Sequence, residues 1–116
     1  MGESVAEKFL RKNGFVILER NYWKKWGEID IIAQKDNAIR FVEVKTVSRE
    51  NLEERVGEHR PEDNLHPRKF ERMARTIESY LIEHDIQKDW QIDVITVRLD
   101  IKSKRAKVDF LENIIL

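Results

Sequence analysis

Gly27-Glu28-Ile29-Asp30-Ile31-Ile32-Ala33 and Ile39-Arg40-Phe41-Val42-Glu43-Val44-Lys45-Thr46 are the two stretches whose reading decides the fold of this chain. Both are rich in β-branched residues, and the gap between them, Gln34-Lys35-Asp36-Asn37-Ala38, is rich in turn formers. Together they predict a β-hairpin. Side chains two apart in a strand share a face, so Glu28, Asp30 and Ile32 form one set and Phe41, Glu43 and Lys45 another. Directly opposed residues of an antiparallel pair also share a face. One register joins the two sets: Asp30 opposite Glu43, Glu28 opposite Lys45, and Ile32 opposite Phe41. One end of this face is apolar and is expected to be covered. The other end gathers three acids and a lysine at the edge of that cover.

A charged strand face is ordinarily just a solvated one. Here the register sets two acids against each other, which destabilises a sheet. Two unit charges about 4 Å apart repel by about 4 kcal/mol at an effective dielectric of about 20. A divalent cation would offset that repulsion, and Lys45 offsets part of it without any metal. Two carboxylates with the backbone carbonyl of Val44 suit Mg²⁺ or Mn²⁺, hard ions that keep several waters. Such an ion would acidify water and stabilise charge on a phosphate, with Lys45 orienting the water or holding developing charge. This is the chemistry of phosphodiester hydrolysis.

Working outward, residues 3–13 read as a short helix with Val5, Phe9 and Leu10 on one face and Gly14 as its stop. Residues 15–18 read as a buried strand, and 21–27 as a connection. Beyond the hairpin, residues 48–66 lack apolar periodicity and carry many acids, which predicts a mobile loop. A second helix is expected from about Pro67 to His84, with an apolar stripe of Phe70, Met73, Ala74, Ile77 and Leu81. Residues 90–99 and 106–111 read as two further strands joined by a basic turn. The order helix, three strands, helix, two strands predicts an α/β fold, a central mixed sheet flanked by helices.

The chain has 116 residues, a length that fits one domain. No apolar run approaches a membrane span, no signal peptide is visible, and cysteine is absent, so disulfide and zinc-thiolate chemistry are excluded. A cytoplasmic location with no membrane partner is the expectation. Net charge is zero, with 22 basic against 22 acidic residues, so a nucleic-acid partner would have to be held by local patches.

The motif GEIDIIA with FVEVK at this spacing resembles the YraN-type proteins. These belong to the restriction-endonuclease-like PD-(D/E)xK superfamily and resemble archaeal Holliday junction resolvases. The similarity extends to Gly2, Glu3, Ala6 and Leu10 of the first helix, to Gly14-Phe15, to Lys69, Arg72, Met73, Tyr80 and Leu81 of the second helix, and to Asp93-Val94. It implies that Asp30 and Glu43 hold the metal and that Lys45 is catalytic. It also places Glu3 where relatives carry a helical glutamate that contacts the metal; Glu7 lies one turn away on the same flank. Both acids are equally at home as surface charges near a helix N-terminus. Two positions depart from the family pattern. Gln91 stands where an arginine is usual, and Thr46-Val47-Ser48 displaces the basic residue that usually follows the Glu-x-Lys motif.

For substrate, Arg68, Arg72 and Arg75 fall at helical spacing with Lys69 beside them, a basic stripe. Lys24 and Lys25 sit between Trp23 and Trp26, a mixture that suits backbone tracking and base stacking, although a core role for the two indoles, with the lysines solvated, is favoured over DNA contact. The reading is a Mg²⁺-dependent endonuclease acting on DNA, including branched or junction DNA, and the resemblance implies a two-fold homodimer. Its rivals are a non-catalytic nucleic-acid-binding or adaptor protein on the same fold, and an interaction module using the acidic 48–66 segment.

Overall fold

The computed structural model describes residues 2–49 and 67–114. Helix α1 (Gly2–Lys12) is followed by strands β1 (Val16–Lys24), β2 (Gly27–Lys35) and β3 (Ala38–Arg49). Helix α2 (Pro67–Glu83) and strands β4 (Asp89–Asp100) and β5 (Arg105–Leu111) complete the chain. The strands form one sheet in the order β1-β2-β3-β4-β5, with β3 and β4 parallel and the other neighbours antiparallel. A parallel pair needs a crossover, and α2 lies in it. The result is the expected mixed sheet flanked by helices, a restriction-endonuclease-like arrangement.

The two faces carry separate cores. Ala6 and Leu10 of α1 pack with Phe15, Ile31, Val42, Ile95 and Val97. Met73, Ile77 and Tyr80 of α2 pack with Tyr22, Ile29, Ile32, Phe41 and Ile92. Helix α1 stops where Gly14 takes φ +87° and Phe15 N–H reaches back to the Leu10 carbonyl at 3.0 Å, while Gly14 N–H reaches the Arg11 carbonyl at 3.2 Å. This paired Schellman arrangement satisfies the last carbonyls of the helix.

Several expected boundaries shift. Strand β1 runs on through Tyr22, Trp23 and Lys24, so most of the expected connection at 21–27 is strand and only Lys25 and Trp26 form the turn. The β2–β3 turn is tighter than the polar gap suggested. Only Asp36 and Asn37 lie outside the ladder, both with positive φ (53° and 63°), which is the type I′ hairpin these residue types favour. On α2 the buried side is Met73, Thr76, Ile77 and Tyr80, whereas Ala74 is exposed. The segment 48–66 lies outside the described residues, except that 48 and 49 end β3.

Candidate metal and catalytic site

The β2–β3 ladder pairs Ile32 with Phe41, as expected, but ends at the next pair, Ile31 with Val42. The expected pairs Asp30–Glu43 and Glu28–Lys45 are therefore not ladder pairs; Glu28 pairs instead with Trp23 of β1. The physical reason is a local break in the strand's face alternation. Ile29 joins the α2-side core and Ile31 the α1-side core, so strict alternation is lost around Asp30. Neighbouring Asn21 of β1 sits at φ 51°, in the left-handed region. Where the backbone ladder fails, the Asp30 carboxylate takes over. Its Oδ2 accepts the Val44 N–H at 2.7 Å. In a strand the N–H and C=O of one residue point the same way across the sheet. The Val44 carbonyl is thus aimed toward the same opening.

Asp30 and Glu43 are brought together in one cleft, close enough for the Glu43 charge to act on Asp30. Glu43 is buried, only 5% exposed. Burial first, and the Glu43 charge second, push the Asp30 carboxyl up to about 7, well above an ordinary carboxylate. Two lysines answer this pair. Lys69 of α2 forms an ion pair with Glu43 Oε2. Lys45, half-buried beside Lys69, has its ammonium pKa lowered by burial and then by Lys69. The acids line a cleft of about 360 Å³ with Glu28, Lys69, Arg72 and Met73.

Gly27 is what lets α2 sit so close. A methyl group there would lie 2.6 Å from the Thr76 hydroxyl and 3.1 Å from the Arg72 carbonyl. The glycine of the GEIDIIA stretch is therefore a packing requirement of the helix that carries Lys69 and Arg72.

The remaining expected residues divide. Glu3 lies near enough to add to the field on Asp30, yet its carboxylate is held by Arg20 at 3.6 Å. The Asn21 amide, with its nitrogen turned toward the acids, reaches Glu3 at 2.8 Å and Glu28 at 3.3 Å. Glu7 is also claimed by Arg20, at 3.0 Å. Among the described residues, no group of three Asp, Glu or His side chains stands close enough to hold a metal ion. Arg72 lines the cleft, whereas Arg68 is exposed on the first turn of α2. Lys24 is tied to Glu83, which also accepts from the Tyr22 hydroxyl, while Lys25 is exposed at the tip of the β1–β2 turn.

Sequence reading missed Lys69 as a partner of Glu43, and it missed Arg20 and Asn21 altogether. Only the placement of α2 and α1 over the sheet reveals them. Gln91 and Asp93 belong elsewhere. Buried Asp93 accepts from Arg40 at 3.1 Å, from Gln91 at 2.8 Å and from the Asn113 N–H at 2.9 Å, a structural network away from the cleft.

A mixed sheet between two helices, with an aspartate within one hairpin strand and Glu-x-Lys on the next, is a restriction-endonuclease-like arrangement. Residues 2–97 match the profile of the Uncharacterised protein family UPF0102. The chain is 40% identical to a UPF0102 protein of Campylobacter jejuni over 98% of its own length and 89% of the relative's. It is 38% identical to one from Campylobacter fetus, over 97% and 88%, and 35% identical to one from Campylobacter lari, over 97% and 88%. The chain belongs to the UPF0102 family.

Proposed function

We propose that this protein is a metal-dependent nuclease that hydrolyses DNA phosphodiester bonds, with branched or junction DNA as a candidate substrate and a two-fold homodimer as its working form. The observation that carries the reading is the paired Asp30 and Glu43 carboxyls in a cleft, with Lys45 and Lys69 beside them. An acid held up to about 7 by burial and a like charge is a site that a hard cation would relieve. Asp30, Glu43 and the Val44 carbonyl fit Mg²⁺ or Mn²⁺ with the remaining positions left to water, and Glu3 would join only by leaving Arg20.

When bound, the metal supplies the positive charge that polarises a phosphate and acidifies water. The protein's own groups do the rest. Asp30 gives up its proton and keeps its hold on the Val44 N–H, which fixes the carboxylate. Lys45, with a lowered pKa and a place two residues from Glu43 on the same strand face, orients the attacking water or holds charge that develops on the phosphate. Lys69 balances Glu43 until substrate arrives and then faces the phosphate. Arg72 extends the positive wall.

A second reading, a nucleic-acid-binding protein that retains the fold without cutting, is favoured by the cations that already hold Glu43 and Glu3, Lys69 and Arg20. Incubating the protein with linear, single-stranded, flap and four-way-junction DNA, in Mg²⁺, Mn²⁺ or EDTA, separates the two. Metal-dependent cutting that disappears in Glu43→Ala and Lys45→Ala is expected. Binding without cutting supports the second reading, and no binding to any DNA removes both.

A further inference from the structure

The cleft that holds the acids opens onto a second groove of about 480 Å³. Trp23 at the end of β1 and Lys25 and Trp26 of the β1–β2 turn form one wall, and Arg72 and Arg75 of α2 form the other. The two cavities share Gly27, Glu28 and Arg72, so a chain leaving Asp30 and Glu43 enters the groove directly.

Trp23 is 66% exposed at the mouth of this groove, and its cross-strand partner is the charged Glu28. A core role for it is thereby excluded. Trp26 is fixed differently: the Arg75 guanidinium stacks over its ring, 4.3 Å from the centroid. Its indole Nε1, buried, finds no acceptor among the described residues. The turn thus presents one free indole face and one indole locked under a cation, beside Lys25 and Arg72.

We propose that this groove binds an unpaired DNA strand, with Trp23 stacking on a base next to the phosphate that is cut. The inference rests on the nuclease reading for the position of that phosphate. A base inside a duplex has both faces covered by its neighbours, so an exposed indole has nothing to stack on there. Cations act on the phosphates of either form. Trp23 therefore selects, and Lys25, Arg72 and Arg75 hold. The substrate class is DNA with a single-stranded segment at the site of cutting, such as a flap or a splayed arm.

The test is anisotropy of a labelled oligothymidylate and of a blunt duplex in EDTA, with the wild type, Trp23→Ala, Trp23→Phe and Arg75→Ala. Trp23→Ala weakens single-strand binding by about 10-fold, the scale of one lost stack, and leaves duplex binding unchanged. Trp23→Phe restores most of the loss, and Arg75→Ala weakens both substrates. Equal losses on both substrates in Trp23→Ala, no loss on the single strand, or no binding by the wild type overturns the proposal. Cutting of a flap in Mg²⁺ is scored separately. If the binding pattern holds but nothing is cut, the nuclease reading fails and the stacking groove stands. If flaps are cut and Trp23 is indifferent, only the groove fails.

Discussion

Replacing Asp30 with asparagine should make the metal-free protein more stable at alkaline pH. The carboxyl rises from 3.8 to about 7 on folding, because burial and Glu43 oppose its charge. Below the unfolded value both states hold the proton and there is no cost. Between that value and about 7 the unfolded chain ionises while the folded chain does not, so stability falls as pH rises. Above about 7 the full cost is present. A shift of roughly three pH units corresponds to about 4 kcal/mol as an upper bound. Rearrangement of Lys45 and Lys69 around the doubly charged pair reduces it to about 2 kcal/mol. Asparagine keeps an oxygen for the Val44 N–H while removing the charge, so the geometry at 2.7 Å is retained. The assay is urea unfolding in EDTA at pH 8 and at pH 4. At pH 8 the variant gains about 2 kcal/mol, and the Tm rises by roughly 5–15 °C. At pH 4 the two proteins become nearly equal. A variant no more stable than wild type at pH 8, or a gain that persists unchanged at pH 4, refutes the reasoning.

Three further outcomes follow from the packing. Gly27→Ala sets a methyl 2.6 Å from the Thr76 hydroxyl, so it should cost about 1–3 kcal/mol in urea unfolding, and Thr76→Ala in the same chain should recover part of that loss. Asn37→Val places a β-branched residue at φ 63° and should cost about 1–2 kcal/mol in the same assay, whereas Asn37→Gly should cost little. Arg40→Ala removes the cation paired with the fully buried Asp93 and should cost about 3–5 kcal/mol in urea unfolding, whereas Arg40→Lys, which keeps a positive charge, should cost less.

Much of the site was legible because the hairpin is local. The turn chemistry of Asp36-Asn37 and the pairing of Ile32 with Phe41 both follow from residues close in sequence. The basic stripe of α2 was also visible from spacing alone. The end of the ladder at Ile31 was not, because it coincides with the left-handed backbone of Asn21 on a different strand. The continuation of β1 through Lys24 was hidden by its polar and aromatic mixture. Tyr22 inside and Trp23 outside become an alternation only once α2 covers one face. The ion pair of Lys69 with Glu43 and that of Arg40 with Asp93 join distant segments, and a single sequence shows neither. Thr76 reads as a polar interruption of the apolar stripe, yet it is buried because its hydroxyl donates to the Arg72 carbonyl at 2.7 Å.

The nuclease proposal stands or falls with Asp30 and Glu43 together forming a cation site. Calorimetric titration of Mn²⁺ into the protein at about pH 6.5, repeated in buffers of different ionisation enthalpy, tests it most directly, because metal binding must displace the proton that Asp30 holds. Saturable binding with proton release is expected in the wild type, and loss of both in Asp30→Asn and Glu43→Gln. No binding by the wild type, or equal binding by the two variants, would contradict it.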